Sequence, residues 1–179
     1  VLVEEPIGRI FHFLHEVKTA IPFSEADFLP DLNIFLDAAI WQRAGEIPES
    51  IKQIDTINID HHHTTKRPFS CLAVDTEATS TTQIIWRLFH SEIANFAKDL
   101  QQKVATFLYF GLMTDCGGFS FGNTTPEALR DAAALMEMGA DPVKLYNGAY
   151  RNKNFEELKL LGRALSSLRS HWNGKMAVM

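Results

Sequence analysis

The sequence predicts an α/β domain, a mostly parallel sheet flanked by helices and followed by a helical segment. Two observations carry the prediction. Three short apolar runs between residues 32 and 74 are strand-length, rich in branched side chains, and each ends in aspartate. From residue 79 onward the texture changes to apolar stripes at helical spacing, separated by capping residues.

In chain order, Ile7 to Val17 has helix-like apolar spacing and predicts a short helix. Leu32–Leu36, Ile54–Ile59 and Ser70–Val74 predict strands ending at Asp37, Asp60 and Asp75. Ile84, Ile85, Leu88, Phe89 and Ile93 form the stripe of a helix between Thr79 and Ala97, and a second helix runs from about Gln101 to Leu112. Gly117-Gly118 is a break. Thr125-Pro126-Glu127 is a helix start, with a hydroxyl cap, proline in the first turn and an acid behind it; that helix stops at Gly139. Asp141-Pro142 opens another helix to about Tyr150, and a last one covers Phe155–Leu168. Asn173-Gly174 is a turn, and Lys175–Met179 reads as a strand. There is no internal repeat.

Composition excludes whole classes. The 179 residues, 46% hydrophobic, fit one globular domain and not a disordered chain. No apolar run reaches the ~18 residues of a membrane span. A net charge of −5 counts against coating long duplex DNA. It is compatible with an enzyme of small phosphorylated substrates, where a metal supplies positive charge locally. Cys71 and Cys116 have neither disulfide-framework nor zinc spacing and read as free, buried thiols. The acidic start, Val1 to Glu5, is unlike a secretory leader, so a cytoplasmic location is expected.

The chemistry gathers at strand ends. In open α/β sheets ligands bind at the carboxyl ends of the strands, so Asp37 and Asp60 are expected at one crevice. An aspartate at a strand end also serves as a helix cap, but Asp60 is followed by His61-His62-His63. Imidazole is a frequent metal ligand and needs an acceptor behind it to fix its tautomer, which Asp60 is placed to be. His63 is farthest from the strand and reads as loop. His12 and His15 are three apart with no acid beside them and read as packing or surface residues. Asp115, within Gly111 to Gly118, is a third acid where backbone can approach a ligand closely. Asp37, His61 and Asp115 offer the O/N ligands that suit Mn²⁺ or Mg²⁺.

Asp60-His61-His62 after an apolar strand resembles the signature of the DHH phosphoesterase superfamily. Asp37 with Arg43 and Gly45 resembles its second motif, and Gly111 to Phe119 its fourth. Asn123-Thr124-Thr125-Pro126 and Gly139-Ala140-Asp141-Pro142 look most like the branch of bacterial oligoribonucleases that also dephosphorylate 3′-phosphoadenosine 5′-phosphate. The resemblance spans about residues 5–175. It implies two Mn²⁺ per site, with Mg²⁺ an alternative. Asp37 would bridge the metals, and His61 and Asp115 would hold one of them. His62 would face the substrate phosphate, and Asp60 would sit behind the histidines. The implied reaction is phosphoester hydrolysis by metal-activated water, with Asp60 and His62 as the catalytic side chains. The implied partners are short RNA or a small nucleotide, with no membrane and with homodimerisation allowed. Cleavage of cyclic dinucleotides or of pyrophosphate is the alternative chemistry. A non-catalytic nucleotide-binding domain is the alternative class.

Two departures accompany the resemblance. The first motif of the family, His-x-x-x-Asp-x-Asp, has no counterpart in residues 1–31, where Asp27 and Asp31 lack the histidine. Cys116 stands where threonine is usual and is expected to fill space. The reading is therefore a DHH core over residues 1–168, lacking that motif. Residues 169–179 would be a linker and the first strand of an absent substrate-binding domain.

Overall fold

A computed structural model describes residues 2–3, 8–14, 20–26, 28–64 and 66–179. In chain order its elements are β1 (Leu2–Val3), β2 (Ile21–Pro22), β3 (Asn33–Leu36), α1 (Glu49–Lys52), β4 (Thr56–Asp60), β5 (Cys71–Val74), α2 (Thr81–Ala94), α3 (Lys98–Asp115), α4 (Pro126–Glu137), α5 (Pro142–Tyr146), α6 (Phe155–Ser166), β6 (Arg169–His171) and β7 (Met176–Val178). The architecture is the α/β one that the alternating texture predicts.

The sheet that positions the site is β3-β4-β5, all parallel, with β4 in the centre. Asn33 to Leu36 pair with Thr56 to Ile59, and Ile57 to Asp60 pair with Cys71 to Val74. Because the strands run the same way, their carboxyl ends, and with them Asp37 and Asp60, reach one edge. On one face Ile57, Ile59 and Ala73 pack under Ala78, Ile84 and Ile85 at the start of α2. Phe35, out of phase with its neighbours, meets Trp41 and Phe69 with ring centroids 4.8 and 5.0 Å away. The larger core lies among the helices, where Trp86, Leu108, Tyr109, Leu112, Met113, Leu135 and Leu145 are buried.

Helix starts are capped as their sequences demand. Ser80 accepts a hydrogen bond from the Gln83 amide at α2, and Thr125 from Ala128 at α4. Asn154 and Glu157 form a capping box at α6.

Three local expectations are revised and a fourth is extended. The helix expected over residues 7–17 is a 3₁₀ turn at Arg9–Phe11, and residues 7 and 15–17 lie outside the described ones. The second helix is longer than its apolar stripe, so Asp115 is its last residue and not part of the following turn. The helix expected to Tyr150 gives way after Tyr146 to a π-turn at Asn147–Arg151. The strand at the end of the chain pairs antiparallel with β6 around Asn173-Gly174. The pairing of that hairpin went unread because Arg169-Ser170-His171 has no apolar signal. No helix among the described residues is long and apolar enough to cross a membrane.

Candidate metal centre

Asp37 follows β3, and its amide donates to the Ile59 carbonyl at 3.0 Å, which ties it to β4. Its backbone is left-handed, with φ at 60°. That region costs most L-residues energy and is tolerated best by Asn and Asp. The side chain is held too: the buried Thr81 hydroxyl, in the first turn of α2, donates to Asp37 Oδ1 at 2.7 Å.

His61 and His62 follow β4 directly. His61 Nδ1 lies 3.2 Å from the Ala78 carbonyl, which can only accept, so Nδ1 carries a proton. Nε2 then faces Asp37 Oδ1 at 3.6 Å and Asp115 Oδ2 at 3.4 Å. Asp115 reaches this point from the C-terminus of α3. Burial, and next the negative charge of Asp37, push the Asp115 carboxyl above the usual carboxylate range; His61 and His62 offset part of that rise. One imidazole nitrogen thus has a carboxylate oxygen on either side within 3.6 Å, and an imidazole with two carboxylates is a donor set that suits a hard or borderline divalent cation.

His62 joins the cluster differently. One ligand atom from each of Asp37, His61 and His62 lies within 4.8 Å of the others. Yet His62 Nδ1, 4.0 Å from Asp37 Oδ1, is already bonded to Asp60 Oδ1 at 2.7 Å. Asp60 also accepts from the His62 amide at 3.2 Å. Asp60 is fully buried. Burial alone would raise its carboxyl, but hydrogen bonds from Arg67 and His62 outweigh it and hold the group below the usual range.

The structure thus brings Asp37, Asp60, His61, His62 and Asp115 together, and leaves His63 exposed. His12 is exposed, and His15 is outside the described residues. Both cysteines are free, as expected. Cys71 is exposed on edge strand β5 and not buried, whereas Cys116 is fully buried in the helical core.

Three residues of the site escaped sequence reasoning. Thr81 had a weak signal, the hydroxyl run Thr79 to Thr82 at a helix start. Asn58 sits inside an apolar strand and donates to the Phe35 and Ala38 carbonyls, flanking Asp37. Arg67 lies in a loop and is nonetheless buried against Asp60. Nothing local in the sequence marks either one.

A parallel sheet with acids and histidines gathered at its carboxyl edge makes the chain an α/β domain whose residues could hold a metal ion there. No protein-family model matches it. Its sequence relatives include the bifunctional oligoribonuclease and PAP phosphatase NrnA of Thermus thermophilus, 34% identical over 119 residues, and that of Bacillus subtilis, 31% identical over 122. These stretches are 66% and 68% of this chain and 35% and 38% of the relatives, so the match spans little more than a third of their length. An exopolyphosphatase-related protein from Bacteroides fragilis has the same fold, with a TM-score of 0.84 over 96% of this chain and 52% of that one, at 21% identity. The chain is similar in sequence to the NrnA proteins over about two thirds of its own length, in keeping with the resemblance its motifs carry.

Proposed function

We propose that the chain carries a divalent-metal-dependent phosphoesterase site for short oligoribonucleotides and 3′-phosphoadenosine 5′-phosphate. The observation that carries the reading is that Asp37 Oδ1 and Asp115 Oδ2 lie 3.6 and 3.4 Å from the same nitrogen, His61 Nε2. The names of the relatives support the substrate class.

Asp37, His61 and Asp115 are the residues to hold the cation, Mn²⁺ by preference. A bound divalent cation supplies an activated water and neutralises charge on the phosphoryl group. The chain does the rest by orientation. Thr81 and the left-handed backbone hold the Asp37 carboxylate in place, and Ala78 fixes which nitrogen of His61 is available. Asp60 holds His62 through Nδ1, leaving Nε2 on the open side of the ring, where in the imidazolium form its N–H would donate to a phosphoryl oxygen of the substrate.

The test is a hydrolysis panel on the purified protein with Mn²⁺, using diadenylate, 3′-phosphoadenosine 5′-phosphate and a cyclic dinucleotide. Metal-dependent release of AMP from the first two is expected, at a low rate from this chain by itself, since residues 1–31 hold no counterpart of the first motif and its metal ligands. His62→Ala should lower turnover at least ~100-fold while Mn²⁺ still binds, and His63→Ala should change it little. Preference for the cyclic dinucleotide would reassign the substrate. Nucleotide binding without hydrolysis of any of the three would make the domain a binding module.

A further inference from the structure

Arg67 is the least expected residue in the crevice. Its side chain is 6% exposed, although it belongs to the loop between β4 and β5. A buried guanidinium is costly unless its donors are spent on acceptors, and here they are. One arm donates to Asn58 Oδ1 at 2.9 Å and to Asp60 Oδ2, and the other to the His62 carbonyl at 2.6 Å.

Each of those acceptors leads to a different side of the site. Asp60 Oδ1 takes the His62 ring through Nδ1. Asn58, with its oxygen engaged by Arg67, has its amide group oriented to donate to the Phe35 carbonyl at 3.1 Å and the Ala38 carbonyl at 3.0 Å, the residues flanking Asp37 at positions 35 and 38. The guanidinium is thus the junction between the strand end that presents Asp37 and the strand end that presents His61 and His62. An isolated carboxylate behind a histidine could rotate; one pinned by a fork of donors cannot.

We propose that Arg67 is a positioning residue, a buried clamp that sets the His62 ring through Asp60 and the Asp37 turn through Asn58. The effect on metal rests on the proposed reading of the site; the effect on the His62 ring does not. Lysine cannot replace it, because a single ammonium on a flexible stem does not reproduce a planar fork spread over three acceptors.

The experiment compares wild type, Arg67→Lys and Arg67→Ala. Arg67→Lys keeps the charge and most of the stem, so it guards against misfolding of the alanine variant. Two readouts are taken. The first is the His62 tautomer in metal-free protein, from long-range ¹H–¹⁵N NMR at a pH where the ring is neutral. Wild type should show one tautomer, with Nδ1 protonated, and both variants a mixture. The second is Mn²⁺ affinity by calorimetry, expected to fall ~10- to 100-fold in both variants, the range for residues that orient metal ligands. Millimolar guanidinium should restore much of the affinity to Arg67→Ala and none to Arg67→Lys, whose side chain fills the space. A single Nδ1-protonated tautomer and wild-type affinity in both variants would overturn the proposal. If wild type binds no Mn²⁺, the metal reading fails by itself, and the tautomer alone decides whether Arg67 is the clamp.

Discussion

Asp37 combines a strained backbone with a satisfied side chain, and the two can be separated by substitution. Asn tolerates φ near 60° and can still accept from Thr81, so Asp37→Asn should unfold in urea within ~1 kcal/mol of wild type. Alanine meets a left-handed penalty of ~1–2 kcal/mol and strands the buried Thr81 hydroxyl at a further ~1 kcal/mol or more. Asp37→Ala should therefore lose ~2–3 kcal/mol in the same metal-free measurement. Equal stability of the two variants would mean that neither the backbone nor the Thr81 bond stores what is claimed here. At this scale the sequence showed the residues whose chemistry is unusual in itself. Asp60 with three histidines is legible because charged and imidazole side chains rarely crowd a strand end without purpose. Asn58, Arg67 and Thr81 were not, since their roles come from contacts 5 to 44 residues away that only the folded chain makes.

The two long helices cross closely at Gly111, and that contact helps bring Asp115 to the site. A Cβ at Gly111 would overlap Thr82 Cγ2 and lie 3.2 Å from its Cβ. Thr82 is β-branched and cannot swing aside freely. In an exposed helix Gly→Ala gains ~1 kcal/mol, but overpacking here should cost ~1–3 kcal/mol and outweigh it. Thermal unfolding of Gly111→Ala should show a lower Tm, with the Gly111→Ala/Thr82→Ala pair recovering part of the loss. A raised Tm in the single variant would show that α2 and α3 separate without cost. The sheet strands and the places of α2 to α6 were legible because compact apolar runs and stripes at helical spacing coincide with caps such as Thr125 and Asp141. The ends of α3 were not, because Lys98 and Asp115 extend the helix beyond its apolar stripe. Asp115 enters the site from a helix end, as its place before Gly117-Gly118 suggests, but as the last residue of a helix that runs past Leu112.

Across the whole molecule, burial is uneven. The helical core of α2 to α5 is closed around Leu112, Met113, Leu135 and Leu145, all about 1% exposed. On edge strand β3, Ile34 and Leu36 remain 63% and 46% exposed, and α6 buries no residue. The site lies where the sheet, α2 and α3 meet, so its geometry depends on both cores at once. The central claim is that Asp37, His61 and Asp115 form one cation site. The most direct measurement is calorimetric titration of the protein with Mn²⁺, beside Asp37→Asn, His61→Ala and His63→Ala. Saturable binding is expected in wild type and His63→Ala, weakened at least tenfold in Asp37→Asn and in His61→Ala (~1.4 kcal/mol). Titrations that are the same in all four proteins would contradict it.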